Sequence, residues 1–346
     1  MSHIAKSYQK RLIGVVAAHT VLSSYRRQSA MKVINYDKNT KVGGLFPEIK
    51  KLGFCSPNAE MTPFVWKGRL MRLEICWGRN GSDNVIETTH SLIRDVETGK
   101  VISRTAYGMC FTSGYLEGDT FYILATVGSG PRLSGDTIRI YSTKDLVNWE
   151  QRELFRREGW EFFNTSLTKG EDGYTLLLEV GSSPEDDPGV TFTAYFAKST
   201  DMVNWKMLPF DTAFPKDMYC GAPYMRFHGG YYYIFLLLRL PFRRYAHYIF
   251  RTKDFSEIEV GLHNPLLIPS NEDRLISENG KRVYLPEHED LLRHGLCCNN
   301  CDIDMCEWQG KTYINYLTGN QLGTAGYMCE ALCDMPIGEF LEGYFK

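Results

Sequence analysis

A pattern of strand, glycine-containing turn and strand recurs five times after residue 54, and no other property of the chain limits its folding so sharply. The copies are MTPFVWKGRLMRLEICWG around Gly68, MCFTSGYLEGDTFYILATVG around Gly118, NTSLTKGEDGYTLLLEVG around Gly173, GAPYMRFHGGYYYIFLLLR around Gly229 and DIDMCEWQGKTYINYLTG around Gly310. The first four turns lie 50 to 56 residues apart, and the longer last interval carries an insertion around residues 264–300. A second signal sits half a unit later, in STKDLVNWEQRELF, KSTDMVNWKMLPF and a degraded RTKDFSEIEV. Asp145 and Asp201 share the spacing of Trp149 and Trp205, so two independent signals have one period.

A unit of this length, holding about four short strands, suits one blade of a propeller rather than a helical repeat. A single blade leaves both faces exposed, so the blades must close in a ring to share a core. Five copies imply an all-β, five-bladed β-propeller over residues 51–346. Residues 1–50, with RLIGVVAAHTVLSS and a Gly/Lys-rich link, are expected to form a short, partly helical N-terminal extension. The aromatic content, 21 Tyr and 19 Phe, agrees with half-buried pleated surfaces.

A net charge of −2 gives no electrostatic basis for binding nucleic acid or an anionic membrane. No apolar run approaches the roughly 18 residues of a spanning helix. His19 interrupts the only apolar stretch that resembles a secretory signal, and the ten cysteines include several in strand-like apolar settings, such as LEICW and GMCFT. A reduced, cytoplasmic protein is the expectation. Cys298-x2-Cys301 with Cys329-x3-Cys333 supplies four thiols, but Cys301 directly precedes a strand, which is not the paired-knuckle setting of a structural zinc.

Together, the strand pairs and the Ser/Thr-x-Asp-x-x-Asn-Trp corners resemble the five-bladed propellers of glycoside hydrolase families 43, 32 and 68 and, more distantly, 117, over most of the chain after residue 54. The resemblance implies a site on the ring axis, where each innermost strand begins, and a small carbohydrate as substrate. It also implies three carboxyl positions that this chain does not match. Thr62 precedes the proline of SPNAEMTPFVW with Glu60 two residues earlier, Asn164 stands in FFNTSLT, and Gly221 precedes Ala222-Pro223 where the acid is expected. Family 117 implies a further variant in which a histidine is the acid.

Glycoside hydrolysis needs one carboxyl to protonate the leaving oxygen and another to activate water or the sugar. The candidates for these roles are Glu60 and Asp302 as base, and Glu179, His288 or Glu289 as acid. Asp302 and Asp304 flank Ile303 at a spacing of two, so a regular strand would aim both at one face. Such a pair needs a sugar hydroxyl, an arginine or a cation beside it. No cofactor is required, though Ca or Mg on the axis is a candidate ligand of the pair. Arg239 and Glu179 each end an apolar strand, where an unpaired charge is costly. Trp77 is a candidate sugar platform, and His90 and Asn164 are candidate substrate contacts. The expected function is an inverting hydrolase of a short oligosaccharide. The alternative is a propeller that binds sugars or partners without cleaving them.

Overall fold

The repeated strand pairs fold as antiparallel sheets in a computed structural model that describes residues 47–77, 88–129, 132–182, 192–241, 244–274, 299–319 and 326–346. The chain divides into Met1–Leu45 and Phe46–Lys346, and all described residues belong to the second unit. The expected N-terminal extension and the candidates His288, Glu289 and Cys298 lie outside the described residues.

Strand β1 (Ile49–Ser56) comes first in sequence. Blade 1 is β2 (Ala59–Trp66), β3 (Arg69–Cys76), β4 (His90–Asp95) and β5 (Val101–Thr105). Blade 2 is β6 (Met109–Glu117), β7 (Thr120–Val127), β8 (Thr137–Thr143) and β9 (Glu150–Arg156). Blade 3 is β10 (Glu161–Gly170), β11 (Gly173–Ser182), β12 (Thr193–Ser199) and β13 (Lys206–Met207). Blade 4 is β14 (Cys220–His228), β15 (Tyr231–Leu240), β16 (Arg244–Thr252) and β17 (Glu259–Val260). Blade 5 is β18 (Asn299–Trp308), β19 (Lys311–Gly319) and β20 (Gly326–Cys333), followed by helix α1 (Ile337–Gly343). Its fourth strand is β1, which pairs with β20 at the outer edge, so the first and last strands of the ring lie in one sheet. The fold is the expected five-bladed propeller.

Aliphatic and aromatic side chains fill the space between blades. Phe64 and Phe121 stack at 3.8 Å between blades 1 and 2, and Phe196 meets Phe255 at 4.5 Å between blades 3 and 4. The innermost strands β2, β6, β10, β14 and β18 have one edge free of ladder partners, and side-chain hydroxyls satisfy amides there. Gly114 N–H donates to Thr62 Oγ1 (2.9 Å) and Met225 N–H to Ser166 Oγ (3.0 Å), each bond tying neighbouring blades. Gly114 permits this approach, since a Cβ there would lie 2.8 Å from Phe121 and 2.9 Å from Thr62.

The second repeated signal is a corner held by its aspartate. Asp201 Oδ1 accepts the amides of Val203 and Asn204, both at 2.8 Å, while Oδ2 accepts Asn204 Nδ2 at 2.8 Å; Asp145 repeats the set. These backbone and side-chain donors hold both carboxyls well below the usual carboxylate range. The residue after each aspartate is left-handed and apolar, with φ 63° at Leu146 and 56° at Met202, and its side chain enters the blade core. Phe255 has φ 68° after Asp254, so the degraded third copy makes the same turn. Asp201→Ala is expected to lower the thermal midpoint while leaving ligand binding intact, and Asp201→Asn to lower it less. Differential scanning calorimetry checks the order.

Candidate active site

Every innermost strand slips register near its start. The breaks fall between Ala59 and Met61, Cys110 and Ser113, Phe162 and Thr165, Gly221 and Tyr224, and Cys301 and Asp304. Four of the five carry a non-glycine residue in the left-handed region: Glu60 (φ 47°), Phe111 (48°), Ala222 (44°) and Asp302 (48°). Bulges re-aim side chains, and backbone of this kind costs on the order of 1 kcal/mol or more per residue. Five re-aimed segments surround one pit on the axis, lined by Glu60, Met61, Thr62, Thr112, Ser113, Asn164, Thr165, Ala222, Pro223, Tyr224, Asp302, Ile303 and Asp304.

Glu179, on the second strand of blade 3, lies behind the pit wall and touches two residues of it, Asn164 and Ala222. Its side chain is 3% exposed, and Oε2 accepts Asn164 Nδ2 (2.7 Å), Asn164 N–H (3.3 Å) and Ala222 N–H (3.2 Å). A Cβ on Gly221 would lie 3.2 Å from Glu179 Oε1. The glycine at the family's acid position therefore leaves room that the Glu179 carboxyl partly fills. Burial raises this carboxyl to about 8, with Asp302 adding to the shift and the Asn164 and Ala222 donors opposing it.

Across the pit from Glu179, Glu60 on β2 and Asp302 on β18 bring two carboxyls into the same lining. Burial raises Glu60 well above the carboxylate range, and the charges of Asp302 and Glu179 add to it. Glu60 Oε2 is buried without a hydrogen-bond partner among the described residues, a setting that favours the protonated form. Burial brings Asp302 to about 6. Burial therefore disfavours charge on both carboxyls, with the charge of Asp302 adding to the effect on Glu60.

The spacing argument for Asp302 and Asp304 is overtaken by the bulge, which separates their surroundings although both still line the pit. Asp304 Oδ1 accepts Met305 N–H (2.6 Å) and Arg226 Nη2 (3.2 Å). Arg226 in turn lies over the Tyr224 ring at 4.0 Å. Burial raises Asp304 to about 6, against the pull of Arg226. Sequence reasoning misses Arg226, because RFHGG reads only as the approach to a turn.

The other candidates divide. Asn164 contacts Glu179 directly. Trp77 packs edge-on against Phe111 at 5.6 Å and begins a half-buried aromatic collar. The collar continues from Phe111 to Phe163 (5.3 Å), Phe192 (4.6 Å), Tyr219 (5.2 Å) and Tyr245 (5.6 Å), passing from blade 1 to blade 4. His90 opens β4, two strands out from the axis, where it stacks on Tyr107 at 5.3 Å and its Nδ1 meets Thr88 O at 3.1 Å; it does not line the pit. Arg239 is exposed near the end of β15 and is neither a pit residue nor the partner of Glu179. Among the described residues, no group of three or more His, Cys, Asp or Glu side chains is arranged to hold a metal, and Cys55, Cys76, Cys110, Cys220, Cys306 and Cys333 are free thiols.

No protein-family model matches the chain, and no curated protein sequence does. Solved structures do. A structure described as a glycoside hydrolase is 14% identical, with a TM-score of 0.60 over 85% of this chain and 93% of that protein. Xylan β-1,4-xylosidase from Bacillus halodurans C-125 is 12% identical, with a TM-score of 0.53 over 83% of this chain and 54% of the xylosidase. A Bombyx mori GH32 β-fructofuranosidase variant in complex with sucrose is 13% identical, with a TM-score of 0.51 over 80% of this chain and 61% of that enzyme. At these identities the likeness is one of architecture: the chain has the five-bladed propeller fold of GH43 and GH32 glycoside hydrolases.

Proposed function

We propose that the protein is an inverting glycoside hydrolase acting on a short oligosaccharide whose scissile bond enters the axial pit. The observation that carries this reading is the placement of Glu60 and Asp302, from blades 1 and 5, in one desolvated pit, with the Glu179 carboxyl of blade 3 held against the pit wall at Asn164 and Ala222 and close enough to act on Glu60. A pit that only held sugar hydroxyls would be served by its Thr112, Ser113, Thr165 and Asn164 alone.

Glu179, protonated at neutral pH, gives its proton to the leaving oxygen. The Glu60–Asp302 pair carries about one negative charge and takes a proton from water as that water attacks the anomeric carbon. Glu179 is anchored where blades 3 and 4 meet, and the pair stands where blades 5 and 1 meet. Acid and base so arranged reach a bound sugar from different sides, as inversion requires. Half-buried rings of the collar offer flat apolar surface to the C–H faces of the sugar. Free thiols at Cys55, Cys76, Cys110, Cys220, Cys306 and Cys333 support assignment to a reducing, cytoplasmic compartment.

A panel of oligosaccharides and aryl glycosides identifies a substrate, and proton NMR of the first product gives its anomer. Inversion is expected. Asp302→Asn is expected to lower kcat by about 100-fold or more, and Glu60→Gln by at least about tenfold. Wild-type turnover by both variants on a substrate that the parent cleaves would refute the site.

A further inference from the structure

One buried titratable side chain beside the pit takes no part in the steps above. We propose that His247 is a positioning residue for Asp302: a neutral imidazole that receives the Ile303 N–H at Nε2 and so fixes the bulge of β18. The inference rests on the reading of Asp302 as half of the base pair.

His247 lies on β16, opposite Leu237 of β15, and is 0% exposed. Ile303 N–H approaches its Nε2 at 3.2 Å. Ile303 falls within the register break between Cys301 and Asp304, so the β18–β19 ladder offers this amide no place. The peptide that carries the amide joins Ile303 to Asp302, whose φ of 48° turns its side chain toward the axis. An acceptor at that amide therefore holds the plane that sets the direction of Asp302.

Blades 3 and 4 solve the same problem differently. There the bulge amides of Asn164 and Ala222 donate to Glu179. In blade 5 a carboxylate acceptor would add another negative charge beside Asp302, and an imidazole accepts without charge. Burial alone holds His247 far down, to about 3, so Nε2 remains an acceptor throughout the working range. Its proton then sits on Nδ1, which has no hydrogen-bond partner among the described residues. A half-satisfied imidazole among Leu237 and its neighbours is costlier than a leucine would be, and the cost is accounted for if the acceptor is needed.

The titratable groups that act with Asp302 are Glu60 from β2, Glu179 from β11 and Tyr219 ahead of β14, with Asp304 on its own strand. None of these changes in a His247 variant, so a shift of Asp302 reports the lost hydrogen bond. His247→Leu and His247→Gln, compared with Asp302→Asn, make the test. The Asp302 titration is read as the carboxyl infrared band that Asp302→Asn removes, in the full-length folded protein without substrate. With leucine, the freed amide lets Asp302 relax toward solvent, so its titration is expected to move down toward the ordinary carboxylate range. The value of kcat/KM is expected to fall about 10- to 100-fold. Glutamine, whose amide oxygen can stand where Nε2 stood, is expected to restore most of both.

An unmoved Asp302 titration in a folded His247→Leu protein would overturn the inference. So would equal losses in the glutamine and leucine variants, which would show that the ring's volume and not its acceptor matters. If the titration moves as expected but the parent cleaves no glycoside, the positioning role stands and the hydrolase reading falls. If the parent cleaves, Asp302→Asn does not, and His247→Leu matches the parent, the hydrolase reading stands and this inference falls.

Discussion

Glu179→Gln is expected to reduce kcat/KM by about a thousandfold on substrates with poor leaving groups, and by far less on aryl glycosides whose phenol departs without a proton. The amide keeps the shape of the side chain and can still meet Asn164 and Ala222, so the loss is chemical. The pH dependence follows from the same residues. In the proposed mechanism Glu179 works protonated, and its carboxyl stands at about 8, so activity is expected to fall as pH rises through that value. The base pair works with one proton lost, and Asp302 stands at about 6, so activity falls as pH drops below it. A bell between about 6 and 8 is expected for the parent in kcat/KM, with the alkaline limb absent in Glu179→Gln. Stability carries the opposite signature. A carboxyl raised in the folded state binds its proton more tightly there than in the unfolded chain, so stability falls as pH rises toward and through about 8. Glu179→Gln removes that penalty, and its thermal midpoint is expected to exceed the parent's above pH 8. A variant that loses activity but gains alkaline stability cannot be explained as damage to the fold.

Glu74→Ala is expected to cost about 3–5 kcal/mol of stability, the range found when one member of a buried ion pair is removed. Glu74 is 0% exposed on β3 and accepts Arg72 Nε (3.0 Å), Arg94 Nε (2.7 Å), Ser56 Oγ (3.0 Å) and Asn58 Nδ2 (2.6 Å). Arg72, 1% exposed, also faces Glu330 of β20 at 3.7 Å, and Tyr313 of β19 bonds to the same Glu330. The cluster thus joins blade 1 to both β1 and blade 5. Burial pushes the Glu74 carboxyl up, but Arg72 and Arg94 outweigh it and leave it at about 2. That contribution to stability is complete above the unfolded value near 4.5 and is lost as pH falls toward 2. Urea melts at pH 7 and pH 3 should show the Glu74→Ala deficit shrinking in acid. Replacing Arg72, Glu74, Arg94 and Glu330 together by apolar residues should cost less than the single change, because no charge is then left buried alone.

The architecture is legible because a glycine hairpin recurs in all five blades and an aspartate corner recurs with the same period in three of them. Glycine at each hairpin and aspartate at each corner are demanded by local backbone geometry, and local demands leave marks in sequence. The site is assembled from deviations, which leave fewer. A bulge of one extra residue inside a strand turns Glu60 and Asp302 into the pit, yet neither AEMTP nor CDIDM differs in pattern from a regular strand. Glu179 can be found as a charge ending an apolar run, but its role depends on a gap at Gly221, on the next blade, and a missing side chain has no periodicity. His247 escapes a reading for catalytic groups although RYAHYIF sets it in register with Tyr245 and Ile249, where a polar residue in a buried row is the available signal. Arg226 is similar: its partner Asp304 lies on another blade, and nothing local announces the pairing. The histidine and glutamate of LPEHEDLLRHG remain candidates in the segment between β17 and β18.

Strand β1 gives the ring a history as well as a shape. Its register joins Ile49 to Cys333 and Lys50 to Leu332, so the fifth sheet cannot be completed until β20 has left the ribosome. Until then β1 lacks its partner β20, and the Arg72–Glu74 cluster lacks the partners supplied by blade 5. Four blades can form in order of synthesis from hairpins that are local in sequence, but the fifth must wait for its beginning to meet its end. Joining ends so far apart is slow, and an uncovered strand edge invites pairing with other chains. The molecule is most exposed to aggregation in that interval, and its closing step, rather than any single blade, sets how quickly a usable pit appears on the axis.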